Sequence, residues 1–157
     1  MKDIRIGFGY DIHRTKKGRD LILGGVKIKS DFGIDGHSDA DVLLHSICDA
    51  LLGAAGFEDI GHQFPNTDAK YKNISSLKLL ERTYKMISSK KWKIKNIDST
   101  IILESPKISK YIPEMKKKIS GIIKSKNISI KATTSEKLGD TGKGKGCEAF
   151  AITLLYK

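Results

Sequence analysis

The sequence predicts an α+β fold, an α/β sandwich in which a single mixed β-sheet packs against helices. Segments with the two-residue period of strands alternate with segments that have the longer period of helices. Helices of two turns or more that alternate with strands are typical of a sheet covered by a helical layer. The 157 residues suffice for one hydrophobic core, so we predict a single domain over residues 1–157.

The first predicted strand spans residues 5–13, where apolar side chains alternate with others. Residues i and i+2 of a strand point to the same face, so Asp11 and His13 can reach one ion together. Residues 21–28 predict a pair of short strands that turn near Gly24 and Gly25.

The next predicted element is a largely buried helix over residues 38–55, because apolar residues cover most of its circumference. Ser38 is the expected N-cap, and Asp39 and Asp41 would then lie in the first turn, where the helix dipole favours acidic side chains. The apolar positions are Val42, Leu43, Leu44, Ile47, Cys48, Leu51 and Leu52.

The second half of the chain continues the alternation. A helix that Ser75 or Ser76 could cap is predicted to run to about residue 89, and an amphipathic helix is predicted from Ser109 to about residue 125. Strands are predicted from their β-branched or alternating residues over 93–103, 128–133 and 149–156.

A polar stripe on the buried helix is formed by Asp41, His45 and Asp49, which are spaced i, i+4 and i+8. Such a stripe is costly unless its groups are satisfied, and a bound cation is one way to satisfy them. Asp11, His13 and His45 together predict an open site that suits Zn²⁺ and, less well, Mn²⁺ or Fe, with a fourth position for substrate. The alternative is that the histidines are hydrogen-bonded core residues.

The net charge of +11 comes mainly from lysine, which supplies 25 of the 29 basic residues. A solvated surface with a lysine bias explains this best, and attraction of an anionic small molecule or nucleic acid is the alternative. Nucleic-acid interfaces usually combine arginine clusters with aromatic residues, which are sparse here. We therefore expect no nucleic-acid partner, while a nucleic-acid-binding module with a structural zinc stays the rival class.

The remaining composition points to a cytoplasmic protein. Cys48 and Cys147 lie among apolar residues, which favours buried free thiols and a reducing compartment. The sequence has neither a run of about 18 apolar residues nor the apolar core of a signal peptide near residue 1, so we expect no membrane partner.

Two adjoining segments near the C-terminus are rich in groups that handle phosphate. Residues 131–139 end a strand with three hydroxyl side chains, a carboxylate and two lysines, and residues 140–146 read as a flexible, basic, glycine-rich loop. Glycine lets backbone N–H groups approach phosphate closely. A plain hairpin turn with a capping Ser or Thr is the alternative.

The combined motifs resemble the 2-C-methyl-D-erythritol 2,4-cyclodiphosphate synthase family of the non-mevalonate isoprenoid pathway, over essentially the whole chain. The matching stretches are residues 9–13, 23–26, 37–42, 45, 49–55, 59–61, 64–65, 131–134 and 136–139.

The resemblance implies a lyase that converts 4-diphosphocytidyl-2-C-methyl-D-erythritol 2-phosphate into 2-C-methyl-D-erythritol 2,4-cyclodiphosphate and CMP by intramolecular phosphate attack. It also implies a homotrimer with active sites at the subunit interfaces and an axial channel that binds an isoprenoid diphosphate in some members. A phosphodiesterase that uses water as nucleophile is the rival within the enzymes.

The resemblance assigns roles to single residues. It implies zinc on Asp11, His13 and His45, and a Mg²⁺ or Mn²⁺ ion that is held by the substrate diphosphate and Glu136. His37 and Thr134 match positions that stabilise the transition state. Its substrate contacts are Ser38, together with His37, at the erythritol phosphate end, and Asp59 and Gly61 near the methylerythritol and phosphate portion. Leu103, Glu104, Ser105, Pro106, Lys107, Ile108 and Ser109 would surround cytidine, and Thr133 and Ser135 would lie along the nucleotide phosphates. Ile60, Phe64, Asn66, Asp68, Asp140 and Lys143 are further substrate contacts.

Three of these positions depart from the family pattern. Asn66 stands where the family often has Asp, and Asp140 stands where it commonly has Phe. Lys143 stands where the family commonly has Arg, so at this position a bidentate contact with phosphate is replaced by a single point charge. Asp49 lies one turn beyond His45, and we expect it to orient that imidazole or a nearby donor. His62 is expected at the surface.

Overall fold

The structure is a computed structural model, and it describes residues 3–36, 38–65, 67–71 and 74–157. The strands are β1 (Ile4–Lys17), β2 (Leu21–Leu23), β3 (Val26–Ile28), β4 (Phe32–Ile34), β5 (Lys93–Ile102), β6 (Ile128–Thr133) and β7 (Gly146–Tyr156). The helices are α1 (Val42–Ala54), α2 (Ile60–Gln63), α3 (Ser76–Ser89), α4 (Ile112–Ile123) and α5 (Gly139–Gly142), with short 3-10 turns at Ala69–Tyr71 and Ser109–Tyr111.

The main sheet has five strands in the order β4-β1-β7-β5-β6. β5 and β6 are parallel, whereas the other neighbours are antiparallel, so the sheet is mixed as predicted. The prediction of a single sheet is wrong, because β2 and β3 form a separate two-stranded sheet. β2 packs beside the edge strand β4 without pairing with it, and the turn of the hairpin donates backbone hydrogen bonds to Asp41 at the start of α1.

Helix α1 packs its backbone directly on β1. A Cβ atom added at Gly7 would lie 1.9 Å from the carbonyl oxygen of Ala50, and one added at Gly9 would lie 1.9 Å from that of Ser46. Only glycine permits so close an approach of helix and strand. The two glycines therefore set how far His45 on α1 lies from the end of β1.

The start of α1 differs from the prediction. Asp41, and not Ser38, is the N-cap: its carboxylate accepts hydrogen bonds from the backbone N–H of Gly24 at 3.0 Å, Gly25 at 2.7 Å and Leu44 at 3.1 Å. Asp41 is completely buried, and burial raises its pKa to about 6 against the opposing effect of the backbone donors. The expected first-turn position of Asp39 and Asp41 is thus wrong, because a tertiary contact with the β2–β3 turn decides where the helix begins.

The two faces of the main sheet differ sharply. The helices cover one face, and the hydrophobic core lies between them and the sheet. On the other face β1 presents a row of exposed apolar side chains, including Ile4 (63% exposed), Ile6 (72%) and Phe8 (61%). An apolar row of this length is unusual on a protein surface.

The glycine-rich segment also differs from the prediction. Residues 140–146 were expected to form a flexible loop, but the segment begins inside α5, and Thr141 is buried with its hydroxyl donating to Glu148. The chain then enters β7 at Gly146, earlier than predicted. Within the described part of the chain, no helix is long and apolar enough to cross a membrane.

The contact of α1 with β1 predicts that Gly9→Ala is strongly destabilising, by about 3 kcal/mol or more, because the new methyl group would overlap the Ser46 carbonyl. Gly53→Ala is the matched control, since it lies on the exposed side of α1 with no described atom within 4 Å of a new Cβ. We expect it to be neutral or stabilising by up to about 1 kcal/mol. Urea unfolding of both variants measures the difference, and equal effects would contradict the packing described.

The buried cap predicts that Asp41→Ala lowers the free energy of unfolding by about 3 kcal/mol, since three backbone donors lose their acceptor. Ser75→Ala, which removes the exposed cap of α3, should cost only about 1 kcal/mol. Urea unfolding in the presence of a chelator gives both values. A loss at Asp41 no larger than that at Ser75 would show that the buried contacts contribute little.

Candidate functional site

Three predicted ligands meet where β1 and α1 approach. Asp11 and His13 lie on the helix-facing side of β1, as the strand period predicted, and His45 extends from the first turns of α1. Nδ1 of His45 lies 2.9 Å from Oδ2 of Asp11, and Nδ1 of His13 lies 3.1 Å from the same oxygen. One ligand atom from each residue lies within 4.8 Å of the others. The structure therefore brings the triad together.

The carboxylate and the imidazoles perturb one another. Burial favours the neutral form of Asp11, but the close ring nitrogens of His13 and His45 and the charges of these imidazoles outweigh it and lower the pKa of Asp11 to about 2. Burial would lower the pKa of His45, but the hydrogen bond and charge of Asp11 outweigh it, so this pKa is raised. Asp11 is thus an anion at neutral pH, and it favours a positive charge between the ring nitrogens and its own oxygen.

The triad fits a bound transition metal. Nδ1 of His13 is buried and has no hydrogen-bond partner among the described residues, because its approach to Asp11 lacks hydrogen-bond geometry. Two imidazole nitrogens and one carboxylate oxygen that converge are a donor set for Zn²⁺ or a related divalent metal, and they leave at least one coordination position open. The prediction that these three residues can share an ion agrees with this geometry, while the identity of the metal stays a prediction.

The second nitrogen of His45 has a contact that the sequence did not reveal. Nε2 of His45 lies 3.0 Å from Oγ of Ser76 on α3. Ser76 in turn donates both its hydroxyl and its backbone N–H to the carboxylate of Asp39, the latter at 3.0 Å. The sequence offered Ser76 only as a possible helix cap, and that role belongs to Ser75.

One of the two expectations for Asp49 was that it orients the ring of His45. The structure does not agree with this expectation. Oδ1 of Asp49 accepts a hydrogen bond of 2.7 Å from the backbone N–H of Ile60, whereas the ring nitrogens of His45 face Asp11 and Ser76. The other expectation, that Asp49 holds a nearby donor, agrees with this contact. Asp49 thereby fixes the start of α2, which forms part of the cavity beside the triad.

A cavity of about 350 Å³ opens beside the triad. It brings together several predicted substrate contacts with apolar residues that the sequence did not single out, namely Tyr71, Ile74 and Leu79. Its lining is mostly apolar but includes both histidines, which suits a ligand with a short carbon chain and a charged end. The predicted residues that line it are His13, His45, Ser38, Ile60, Gly61 and Phe64.

Two predicted acidic contacts lie outside this lining. Asp59 caps α2 by accepting the backbone N–H of His62 at 3.0 Å, and its other oxygen lies 2.7 Å from the exposed ring of His62. The surface position predicted for His62 is confirmed. Asp68 pairs with Lys70 at 2.6 Å. His37 and Asn66, predicted as a transition-state residue and a substrate contact, lie outside the described residues.

A second group of predicted residues meets where β5 and β6 end. The backbone N–H of Leu103 donates to the carbonyl of Thr133 at 3.0 Å, which ties the two segments together. Oε1 of Glu104 accepts the backbone N–H of Ser135 at 2.8 Å. Glu104 thus shapes the turn that follows β6, and its role towards cytidine stays a prediction.

That turn holds Thr134 against Glu136. The Thr134 hydroxyl donates to Oε1 of Glu136 at 2.9 Å and accepts the backbone N–H of Glu136 at 3.3 Å. Glu136 and Lys137 both have positive φ angles, of 53° and 63°, so the turn is held in a conformation that non-glycine residues seldom adopt. A hydroxyl and a carboxylate are therefore presented together to solvent.

The other predicted contacts divide between core and surface. The side chains of Leu103 and Ile108 are buried, so these two residues can offer a ligand only backbone groups. Pro106 follows a cis peptide bond and is partly buried. The exposed predicted contacts are Ser105, Lys107, Ser109, Thr133, Asp140 and Lys143.

The triad and the Thr134–Glu136 turn lie at the same end of the strands of the main sheet, but on different strands. Through β7 and β5, Ile12 of β1 is in register with Thr133 of β6, by way of Glu148 and Ile102. That path crosses three strand spacings, or roughly 14 Å at about 4.8 Å each. The triad and the Thr134–Glu136 turn are therefore separated within one chain.

Comparison with known proteins identifies the family. A family model described as the YgbB family matches residues 4–156. The chain belongs to the YgbB family.

Curated relatives agree over the whole length. The 2-C-methyl-D-erythritol 2,4-cyclodiphosphate synthase of Clostridium acetobutylicum is 54% identical over 154 residues, which cover 97% of this chain and 99% of the relative. The synthase of Bacteroides thetaiotaomicron is 50% identical over 156 residues, 98% of each chain. The activity of this YgbB-family chain is that of a 2-C-methyl-D-erythritol 2,4-cyclodiphosphate synthase, a phosphorus–oxygen lyase of the MEP pathway, which confirms the prediction.

Solved structures show the same α+β fold. The IspF–CDP complex of Plasmodium falciparum has a TM-score of 0.85 at 40% identity and covers 99% of this chain and 97% of its own. The bifunctional IspDF of Campylobacter jejuni has a TM-score of 0.94 at 38% identity over 99% of this chain. This chain spans 43% of that bifunctional protein.

The triad predicts that the wild-type chain binds about one Zn²⁺ and that His45→Ala weakens this binding at least about 10-fold, because one of three protein ligands is lost. His62→Ala is the control, since this exposed histidine pairs only with Asp59 among the described residues. Equilibrium dialysis followed by elemental analysis measures bound zinc. Equal zinc content in the two variants would argue against the triad as the metal site.

Proposed function

We propose that this chain closes the cyclodiphosphate by attack of the substrate's own 2-phosphate. In 4-diphosphocytidyl-2-C-methyl-D-erythritol 2-phosphate, an oxygen of the 2-phosphate forms a bond to the β-phosphorus. The bond from the β-phosphorus to the bridging oxygen breaks, and that oxygen leaves as part of CMP. The observation that carries the proposal is the open Asp11–His13–His45 triad beside a largely apolar cavity, in a chain of the YgbB family.

The metal ligands of this proposal are divided between the two groups of residues. Asp11, His13 and His45 would hold a zinc ion, and Glu136 would be the protein ligand of a Mg²⁺ or Mn²⁺ ion that is bound largely by the diphosphate. Such ions supply positive charge to phosphoryl oxygens and so favour attack at phosphorus. The nitrogen-rich triad suits zinc, whereas a lone carboxylate with phosphate oxygens suits magnesium.

The side chains around the cavity bend and hold the substrate. Ser38 would bind the erythritol phosphate end, while Ile60 and Phe64 would contact its carbon chain and exclude water from the attacking phosphate. Holding nucleophile and electrophile together is the main requirement of this intramolecular reaction. His37 is proposed as a donor to the developing charge.

The turn after β6 would bind the nucleotide side. The Thr134 hydroxyl would donate to the phosphoryl group in the transition state, a change of partner from Glu136 once that carboxylate binds a cation. Backbone groups of residues 103–109 would read the cytosine base, held in place by Glu104. Lys143 would add positive charge near the nucleotide, whereas Asp140 already pairs with Lys145 at 3.3 Å.

A complete site would form between copies of the chain in a homotrimer. The triad and the Thr134–Glu136 turn lie at the same end of the strands but are separated within one chain. This separation supports the arrangement, because one substrate has to reach both groups. The exposed row of Ile4, Ile6 and Phe8 supports it as well, since assembly would bury these side chains. Around a threefold axis the same face would form an apolar channel, to which we assign an isoprenoid diphosphate as ligand.

A reducing compartment, the cytoplasm, is part of the proposal, and it is supported by the two buried free thiols of Cys48 and Cys147. Hydrolysis with water as nucleophile is the second candidate within this site. It is disfavoured by the apolar wall beside the triad, because that wall reduces the water available for attack.

We predict that the purified protein with Zn²⁺ and Mg²⁺ converts the substrate to CMP and a cyclic diphosphate in ³¹P NMR spectra. His45→Ala should lower kcat/KM by about 100-fold or more, because the charge that stabilises the diphosphate is lost. His62→Ala should retain wild-type activity. CMP accompanied by an open-chain phosphate product would instead establish hydrolysis.

The shared site predicts complementation between inactive variants. His45→Ala and Glu136→Ala should each be inactive alone, but refolding them together in equal amounts should restore about a quarter of wild-type activity, because that fraction of interfaces joins two intact halves. Refolding either variant with itself is the control. If mixing restores no activity, the complete site lies within one chain.

A further inference from the structure

We propose that Ser76 and Asp39 are positioning residues for His45. They hold a proton on Nε2 of His45 and thereby direct the lone pair of Nδ1 towards the metal position. The inference rests on the proposed metal site, and it extends that site to two residues that are neither metal ligands nor substrate contacts in the function described above.

The first step of the argument is a proton count at Ser76. A serine hydroxyl has one hydrogen, and here it points to Oδ1 of Asp39. The backbone N–H of Ser76 donates to the other oxygen of the same carboxylate at 3.0 Å, which fixes the carboxylate against the serine. With its hydrogen committed to Asp39, the Ser76 oxygen can only accept at its 3.0 Å contact with Nε2 of His45. The Nε2 atom therefore carries the proton.

The second step follows on the opposite side of the ring. A neutral imidazole with its proton on Nε2 has a lone pair on Nδ1. That lone pair faces Oδ2 of Asp11 at 2.9 Å, and the two atoms can face each other only when a cation lies between them, either a second proton on Nδ1 that is donated to Asp11 or a metal ion in its place. His13 also presents Nδ1 to this oxygen. Asp39 and Ser76 thus leave the Nδ1 lone pair of His45 free to share a cation with Asp11 and His13.

The third step separates this role from ordinary helix capping. Ser75 caps α3 by accepting the N–H of Leu77, and it is exposed. Ser76 is completely buried (0% exposed), and among the described residues its hydroxyl has hydrogen-bond partners only in Asp39 and His45. Two adjacent serines therefore have different tasks. A buried hydroxyl between a carboxylate and an imidazole is the arrangement by which proteins set the tautomer and ring angle of a metal-binding histidine.

The chain of hydrogen bonds from Asp39 through Ser76 to His45 also connects three parts of the fold. Asp39 lies in the segment before α1, His45 lies in α1, and Ser76 begins α3. Because the imidazole is held from both sides, by Asp11 at Nδ1 and by Ser76 at Nε2, its ring has little freedom to turn. A ligand fixed before the cation arrives loses less entropy on binding it.

The test compares Ser76→Ala, Asp39→Asn and the control Ser75→Ala. Zinc dissociation constants are measured by competition with a chromophoric chelator, and the protonation of the two His45 nitrogens is read from ¹⁵N chemical shifts in zinc-loaded and zinc-free protein. We expect Ser76→Ala and Asp39→Asn each to weaken zinc binding by about 10- to 100-fold. In zinc-free Ser76→Ala above the pKa of His45, the proton should no longer be confined to Nε2.

Ser75→Ala should leave both readouts at their wild-type values while lowering the melting temperature, which separates positioning from stability. Wild-type zinc affinity and an unchanged Nε2 proton in Ser76→Ala and Asp39→Asn would overturn the inference and leave the metal site standing. A wild-type protein that binds no zinc would overturn the metal site and the inference together. CMP release, followed separately, tests the reaction itself.

Discussion

The contact of the α1 backbone with the glycines of β1 determines the position of every other part of the candidate site. Gly7 and Gly9 lack the side chains that would hold a helix away from a strand, so the Ala50 and Ser46 carbonyls lie where Cβ atoms would otherwise be. This approach places His45 within hydrogen-bond distance of Asp11. The apolar core around α1 supplies the favourable free energy that maintains the contact. The proposed metal site therefore depends on two residues that contribute no functional group.

Much of this architecture could be predicted from periodicity, because strands and helices that bury one face have a strong local signal. The pairing of Asp11 with His13 followed from the strand period alone. What failed was decided by contacts between distant segments. Asp41 caps α1 because the β2–β3 turn gives it two more donors, and no local signal distinguished it from Ser38. Ser76 escaped notice for the same reason, since its partners lie 31 and 37 residues away in sequence.

Carboxylates that are buried or half-buried fix the segments around the site. Asp11, Asp39, Asp41 and Asp49 all lie near α1, and each contacts a different partner: the ring nitrogens of two histidines, a serine, backbone N–H groups of a turn, and the start of α2. Unpaired charges at such positions would be costly, so each acid constrains the segment that satisfies it. The polar stripe predicted for α1 is thus a set of fixed contacts, and in the proposed site His45 would also bind the metal.

The register of the main sheet has a consequence for regulation by mass action. The triad and the Thr134–Glu136 turn lie at the same end of the sheet but three strand spacings apart. If the proposed trimer forms the site, an isolated chain therefore holds two half-sites and no complete active site. Specific activity then depends on total enzyme concentration, in contrast to a monomeric catalyst whose turnover per molecule is constant. Below the dissociation constant of the trimer, dilution alone silences the enzyme, with no inhibitor and no loss of fold.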